Sequence, residues 1–293
     1  MVSRGILADL NDVATRVSDT QRRMATGKQL TRPSDDPFAV GRALGLRSDV
    51  DGLVQYQRNA ADAEGWTSAS DTALGQITDI AQRSRELLLR GANGTSSASE
   101  RGLIADEIDQ LIAAAKDDAN ASQGGRSLFA GTATNAKAYA TGSDAYIGDG
   151  GDVVRSIGPG VSVVVNVRAG DFLGSGGGDG KLLSVLRGIS AHLRGGTPAD
   201  IAALGNSDIT AIDRSIDTVL GARAQIGAVA NRLTAADSRL AELEEGSRGL
   251  LSKTEDADMA ATLIDYSMQQ SVYQSALKAG AGIVQSSLLD FLR

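Results

Sequence analysis

Residues 6–37 read ILADLNDVATRVSDTQRRMATGKQLTRPSDDP, and the fold follows from this stretch. Ile6, Leu10, Val13, Val17, Thr20 and Met24 stand at successive spacings of 4, 3, 4, 3 and 4. That is a heptad seam, a narrow apolar stripe that stays turned toward one partner helix. Gly27 is placed to close the helix, because glycine takes the left-handed conformation of a helix C-cap without strain. Arg32-Pro33-Ser34-Asp35-Asp36-Pro37 then breaks the helical pattern. Asp36 is a candidate N-cap for the next helix, with Pro37 at its first position. The face opposite the seam carries Arg16, Asp19, Arg22 and Arg23. A short helix with so narrow a stripe is marginal alone in water and needs a partner.

Working outward, the pattern predicts a helix from Pro37 to about Gly91, with a weak point near Gly65. Its stripe is Trp66, Ala73, Ile77, Ile80 and Leu87. Asn93-Gly94-Thr95 reads as a turn; it also matches a glycosylation sequon, for which the turn is a sufficient account. Ser97 and Glu100 fit a capping box ahead of a helix with Ile104, Ile108, Leu111 and Ala115 on its apolar side. From residue 124 glycine becomes frequent and the helical period disappears. Val161, Val163, Val165 and Val167 alternate along the chain as in a strand, so residues 124–180 form a small β-rich insert that ends in the glycine-rich loop Gly174–Gly180.

Helices then return. Leu182, Leu186, Ile189 and Leu193 mark one, and Thr197-Pro198 caps another. Ile209, Ile212, Ile216, Val219, Arg223, Ile226, Ala230 and Leu233 hold a long seam. A break is expected near Gly246–Gly249, followed by a second capping box at Ser252-Lys253-Thr254-Glu255. The last helix carries Met259, Leu263, Tyr266, Gln270, Tyr273, Leu277, Gly280, Val284 and Phe291 on one seam.

The order is palindromic: terminal helix, helical rod, insert, helical rod, terminal helix. The fold class is therefore mainly α, an elongated antiparallel helical bundle or coiled coil with a small β-rich insert. Its segments are an N-terminal helix (1–30), the first rod part (31–123), the insert (124–180), the second rod part (181–250) and a C-terminal helix (251–293). In the rods a stripe is core. At the termini the seams are narrow and lie at the ends of the chain, so Ile6, Leu10, Val13, Val17, Met24, Met259, Leu263, Tyr266, Tyr273, Leu277, Val284, Leu288 and Phe291 are assigned to packing between subunits.

Composition narrows the function. The 293 residues are 42% hydrophobic but only 3% aromatic, which suits thin helical bundles better than a large compact core. The net charge of −7 argues against a general nucleic-acid binder. Residues 1–47, with eight Arg/Lys and five Asp/Glu, are locally basic, as solvated helix faces often are. There is no cysteine, which removes disulfides, thiol catalysis and Cys-based zinc. No apolar run reaches the roughly 20 residues of a membrane span, so membrane insertion is not expected. No secretory h-region or small-residue cleavage site precedes the first helix, and by that test alone the chain is cytoplasmic.

Catalytic and cofactor motifs are missing. The glycine loop before Lys181 has Ser175 and Leu182 where a phosphate-binding loop needs Gly and Ser or Thr. His192 is the one histidine, too few for a multi-histidine metal site, and no serine stands in a nucleophile elbow. Asp144, Asp149 and Asp152 lack the spacing and closing Glu of a calcium loop and read as turn residues. No cofactor, metal or enzymatic activity is expected.

Four stretches resemble the bacterial flagellin family. These are Ala25-Thr26-Gly27-Lys28 through Arg32-Pro33-Ser34-Asp35-Asp36-Pro37; Gln82-Arg83-Ser84-Arg85-Glu86-Leu87 with Ala92-Asn93-Gly94-Thr95; Gly125-Arg126-Ser127-Leu128-Phe129-Ala130-Gly131-Thr132; and Glu255-Asp256-Ala257-Asp258-Met259-Ala260 with Ser287-Leu288-Leu289-Asp290-Phe291-Leu292. They occur in order and span almost the whole chain. Within the family the Leu288–Leu292 ending and the single small insert, with Tyr146-Ile147-Gly148-Asp149, resemble the hook-associated protein 3 branch more than filament subunits. Family members generally have several more residues ahead of the position of Met1. The resemblance implies a flagellin-like fold with inner coiled-coil terminal helices and a structural subunit joining hook to filament, with the filament subunit as the alternative. Less fitting are a coiled-coil adaptor inside the cell and an enzyme. It also implies export through the flagellar type III channel without a cleaved signal, which reverses the cytoplasmic reading. The partners it implies are other copies of the chain in a ring, hook-associated protein 1, flagellin and an export chaperone.

Overall fold

The computed structural model describes residues 2–94 and 96–291, with every side chain among them except those of 2–4, 6, 280 and 282–291. The chain forms two compact units: Met1–Leu53 with Glu242–Arg293, and Val54–Ala241. We call them the terminal unit and the central unit.

In the terminal unit, α1 spans Val2–Thr26. Gly27 ends it as expected, at φ +68°, with its N–H on the Arg23 carbonyl at 2.8 Å. Asp36 then caps α2 (Pro37–Gly91): its Oδ1 accepts from the N–H groups of Phe38 and Ala39 at 3.0 and 2.9 Å. The helix passes through Gly65 without a break. The Gln123 side-chain amide lies close over it, 2.6 Å from where a β-carbon would stand.

In the central unit α3 (Ala98–Ala119) opens with the complete Ser97–Glu100 capping box. Its buried stripe includes Ile112, with Leu111 only half-buried, so the inward face is turned slightly from the expected one. Two antiparallel pairs follow, the first straddling the start of the expected insert and the second inside it. β1 (Ser122–Gln123) meets β2 (Arg126–Ser127) across Gly124-Gly125, both at positive φ as a tight two-residue hairpin requires. β3 (Val154–Gly158) meets β4 (Val161–Val164), in register Val154↔Val164 and Arg155↔Val163. The strand expected to reach Val167 stops at Val164. Beyond it the Asn166 side chain takes over, accepting from the Val153 N–H at 2.7 Å and donating to the Gly151 carbonyl at 3.2 Å. Val165 and Val167 remain buried all the same. Phe129 meets Phe172, in the short helix α4 (Ala169–Phe172), edge to face at 5.7 Å.

α5 (Leu182–Gly195) packs on α3 through Leu186, Ile189 and Leu193, and its Arg194 reaches Asp106 and Asp109 at 2.7 Å. After α6 (Pro198–Gly205), α7 runs over Ser207–Glu255. It lies antiparallel to α2, as the pairs Arg85–Asp213 (2.5 Å) and Arg223–Asp71 (2.8 Å) record. Between them are buried Leu74 and Ile77 of α2 and Ile212, Val219, Ile226 and Leu233 of α7.

The break expected near Gly246–Gly249 does not occur. A helical glycine costs only about 1 kcal/mol, and an i,i+4 ion pair from Glu244 to Arg248 at 2.6 Å bridges the spot. Ser252–Glu255 is thus the last turn of α7 and not a capping box. The chain breaks at Asp256–Asp258, where Asp258 Oδ1 accepts from the N–H groups of Ala260 and Ala261 at 2.9 and 3.1 Å. That cap starts α8 (Met259–Phe291). No helix among the described residues is long and apolar enough to cross a membrane.

Candidate functional site at the paired terminal helices

α1 and α8 pack against each other. On α1 the seam faces inward: Thr20 is buried, and Leu10, Val13, Val17 and Met24 are half-buried. Thr20 donates its hydroxyl hydrogen to Gln269 Oε1 across the pair at 2.8 Å. On α8 the shielded positions are Thr262, Tyr266, Gln269, Tyr273 and Ala276, a heptad progression one step from the expected seam. Tyr266 and Tyr273 belong to both. Met259, Leu263 and Leu277 instead stand 47%, 56% and 45% exposed. Sequence reading passed over Ile264, Met268 and Val272, which extend this apolar surface at 66%, 58% and 50% exposure. An amphipathic pattern with two candidate stripes does not reveal which one the partner helix takes. The side chains of Ile6, Val284, Leu288 and Phe291 lie outside the described residues.

Among its described side chains the terminal unit thus has almost no core. Of the described apolar side chains that are fully buried, only Ala43 and Val50 belong to it. Among the described residues it also holds eleven of the seventeen large apolar side chains left exposed, from Leu7 and Phe38 to Leu277. Surfaces of this kind mark interaction sites.

Where the helices leave the pair, the two arms are tied together. The Gln29 N–H donates to the Glu255 carbonyl at 2.7 Å and the Ala257 N–H to the Gly27 carbonyl at 2.9 Å. Lys28 Nζ sits 2.5 Å from Glu255 and 2.6 Å from Asp256, and Arg47 grips the other Glu255 oxygen. Hydrogen bonds to Asp256 and then Glu255 hold the Lys28 ammonium above its ordinary pKa, and Lys28 in turn draws the Asp256 carboxyl down.

The remaining singled-out residues are structural. Asp35 folds back onto the N–H groups of Arg32 and Thr31 at 2.8 and 3.0 Å, which lowers its carboxyl pKa. Arg32, Pro33, Ser34 and Pro37 are exposed around it. Arg83 pairs with Glu107 at 2.7 Å and Glu86 at 3.2 Å. Asn93 and Gly94 form the exposed turn after α2, with the Asn93 carbonyl accepting from the Ser96 N–H. His192 sits at a helix rim, Nδ1 2.7 Å from Asp208. The insert aspartates are committed to the protein: Asp144 to Arg187 and Lys116, Asp149 to Thr132, Asp152 to Arg168. Among the described residues no acidic or histidine cluster is arranged to hold a metal ion.

Two family models match this chain, the bacterial flagellin N-terminal helical region over residues 1–134 and the bacterial flagellin C-terminal helical region over residues 209–292. The chain belongs to the bacterial flagellin family. As a flagellin-family member it is a flagellar structural protein. It is 28% identical to flagellar hook-associated protein 3 of Escherichia coli K12, over 88% of this chain and 87% of that one. It is 27% identical to flagellin FlaB2 of Treponema pallidum, over 92% and 90%. Among solved structures it resembles a flagellar hook-associated protein from Vibrio parahaemolyticus, with a TM-score of 0.69 at 27% identity, over 76% of this chain and all of that one. The flagellin-like fold and the flagellar role read from the four sequence stretches are thereby borne out.

Proposed function

We propose that this chain is the subunit that joins the flagellar hook to the filament, and that it assembles through its terminal helices. The observation that carries the reading is that the described side chains of the terminal unit form almost no core beside a long exposed apolar face on α8. Neighbouring subunits cover that face. The neighbours are other copies in a ring, with hook-associated protein 1 on one side and flagellin on the other. Similarity to hook-associated protein 3 over most of both chains supports the junction in particular. The chain reaches the cell exterior through the flagellar export channel without a cleaved signal, accompanied by an export chaperone, and it catalyses no reaction. Thin helices that gain order on binding suit passage through a narrow channel.

The second reading, a filament subunit, draws on the similarity to flagellin FlaB2. Gold-labelled antibody against the central unit, applied to intact flagella, separates the two. The junction reading requires label confined to the point where filament meets hook. Label along the filament would overturn it in favour of the filament subunit.

A further inference from the structure

Glu255 is an unusual place for a charge. It ends α7, its side chain is only 6% exposed, and both carboxylate oxygens are held by cations from elsewhere in the chain. Lys28 follows α1, and Arg47 lies on α2. The two cations are themselves 40% and 51% exposed. Beside them the backbones exchange hydrogen bonds between Gln29 and Glu255 and between Ala257 and Gly27, and Asp256 takes Lys28 Nζ at 2.6 Å and the Ser252 hydroxyl at 2.6 Å. Here the chain entering α2 and the chain leaving α7 are joined by paired backbone bonds within the terminal unit.

We propose that Glu255, captured by Lys28 and Arg47, is a latch that closes α1 onto α8. Among the described residues the pair has little apolar burial of its own, so its closure depends on how firmly the two arms are fixed at its base. The latch acts within one chain and holds whether the protein sits at the junction or in the filament.

The burial is asymmetric, and that gives the latch a signature. If the carboxylate is removed, two half-exposed cations return to water at little cost. If both cations are removed, a carboxylate is left buried without compensation, which is the more damaging change. Neutralising that stranded carboxylate as well must then restore part of the loss. A merely additive packing role gives no such rescue.

The chain has no cysteine, so Thr20→Cys with Gln269→Cys in the full-length protein reports closure of α1 on α8 through the rate of cross-linking by a short bis-maleimide. Glu255→Gln in that background is expected to slow cross-linking by about tenfold or more, the loss that goes with a charged hydrogen bond. Lys28→Met with Arg47→Met is expected to slow it further. The triple variant, with Glu255→Gln added, is expected to run faster than that double variant. The single tryptophan, Trp66, is 3% exposed in the central unit and reports that unit's unfolding independently. Equal rates in all variants would overturn the latch, as would a triple variant no faster than the double. A Trp66 unfolding midpoint that falls in step with the cross-linking rate would overturn it too, because the whole fold would then have given way.

Discussion

Tyr139 shows how one residue holds the insert. Its ring is fully buried, its hydroxyl donates to the Gly174 carbonyl at 2.5 Å, and Asn120 binds both its N–H and its carbonyl. Burial pushes its phenol well above the ordinary tyrosine range, and pushes that of the neighbouring Tyr146 up to about 12. The folded chain therefore keeps these protons at a pH where the unfolded chain has lost them. The stability they contribute is complete below the unfolded value of 10.0 and is lost as pH rises through the folded values. Urea unfolding followed by Trp66 fluorescence should keep a constant midpoint from neutral pH to about 10 and then decline. Tyr139→Phe should reduce that decline and lower stability at neutral pH by about 1–3 kcal/mol, since the Gly174 carbonyl loses its partner. A midpoint that holds through pH 12 in the native chain would contradict this assignment.

At the scale of elements, the proposed assembly places its contact surface on α8 residues that are exposed within one chain. Leu263→Ala and Leu277→Ala should each change the stability of the isolated protein by no more than about 0.5 kcal/mol, as surface substitutions do. Assembly into flagella should suffer far more, measured as swimming by cells that carry only the variant. Thermal melts shifted by several degrees in the isolated variants would mean that these leucines serve the internal core instead. The helices themselves were legible in sequence: Gly27, Asp36-Pro37 and the Ser97–Glu100 box all end or begin helices where local chemistry says they must. The continuity of α7 through Gly246–Gly249 was not, because a glycine in a long helix is tolerated when an ion pair spans it. Glu255 was misread for a related reason. Ser252-Lys253-Thr254-Glu255 has the letters of a capping box, yet the carboxylate turns to Lys28 and Arg47 more than two hundred residues away in the chain. Local pattern carries no information about such a partner. Sequence pattern did not divide the α8 seam between its two faces: Tyr266 and Tyr273 are shielded, and Met259, Leu263 and Leu277 are exposed.

At the scale of the whole molecule the apolar side chains are divided unequally. The central unit has a continuous buried core from Ala60 to Ala236, with Trp66, Phe129, Tyr139 and Phe172 in it. The terminal unit has a pair of helices, an ionic and backbone tie at their base, and an exposed apolar surface on α8. That division matches a protein whose middle folds alone and whose ends complete their structure in an assembly. Deleting the gene from its motile host and imaging the cells by electron microscopy tests the junction role most directly. The account predicts hooks without filaments and flagellin released into the medium; cells that still bear normal filaments on their hooks would contradict it.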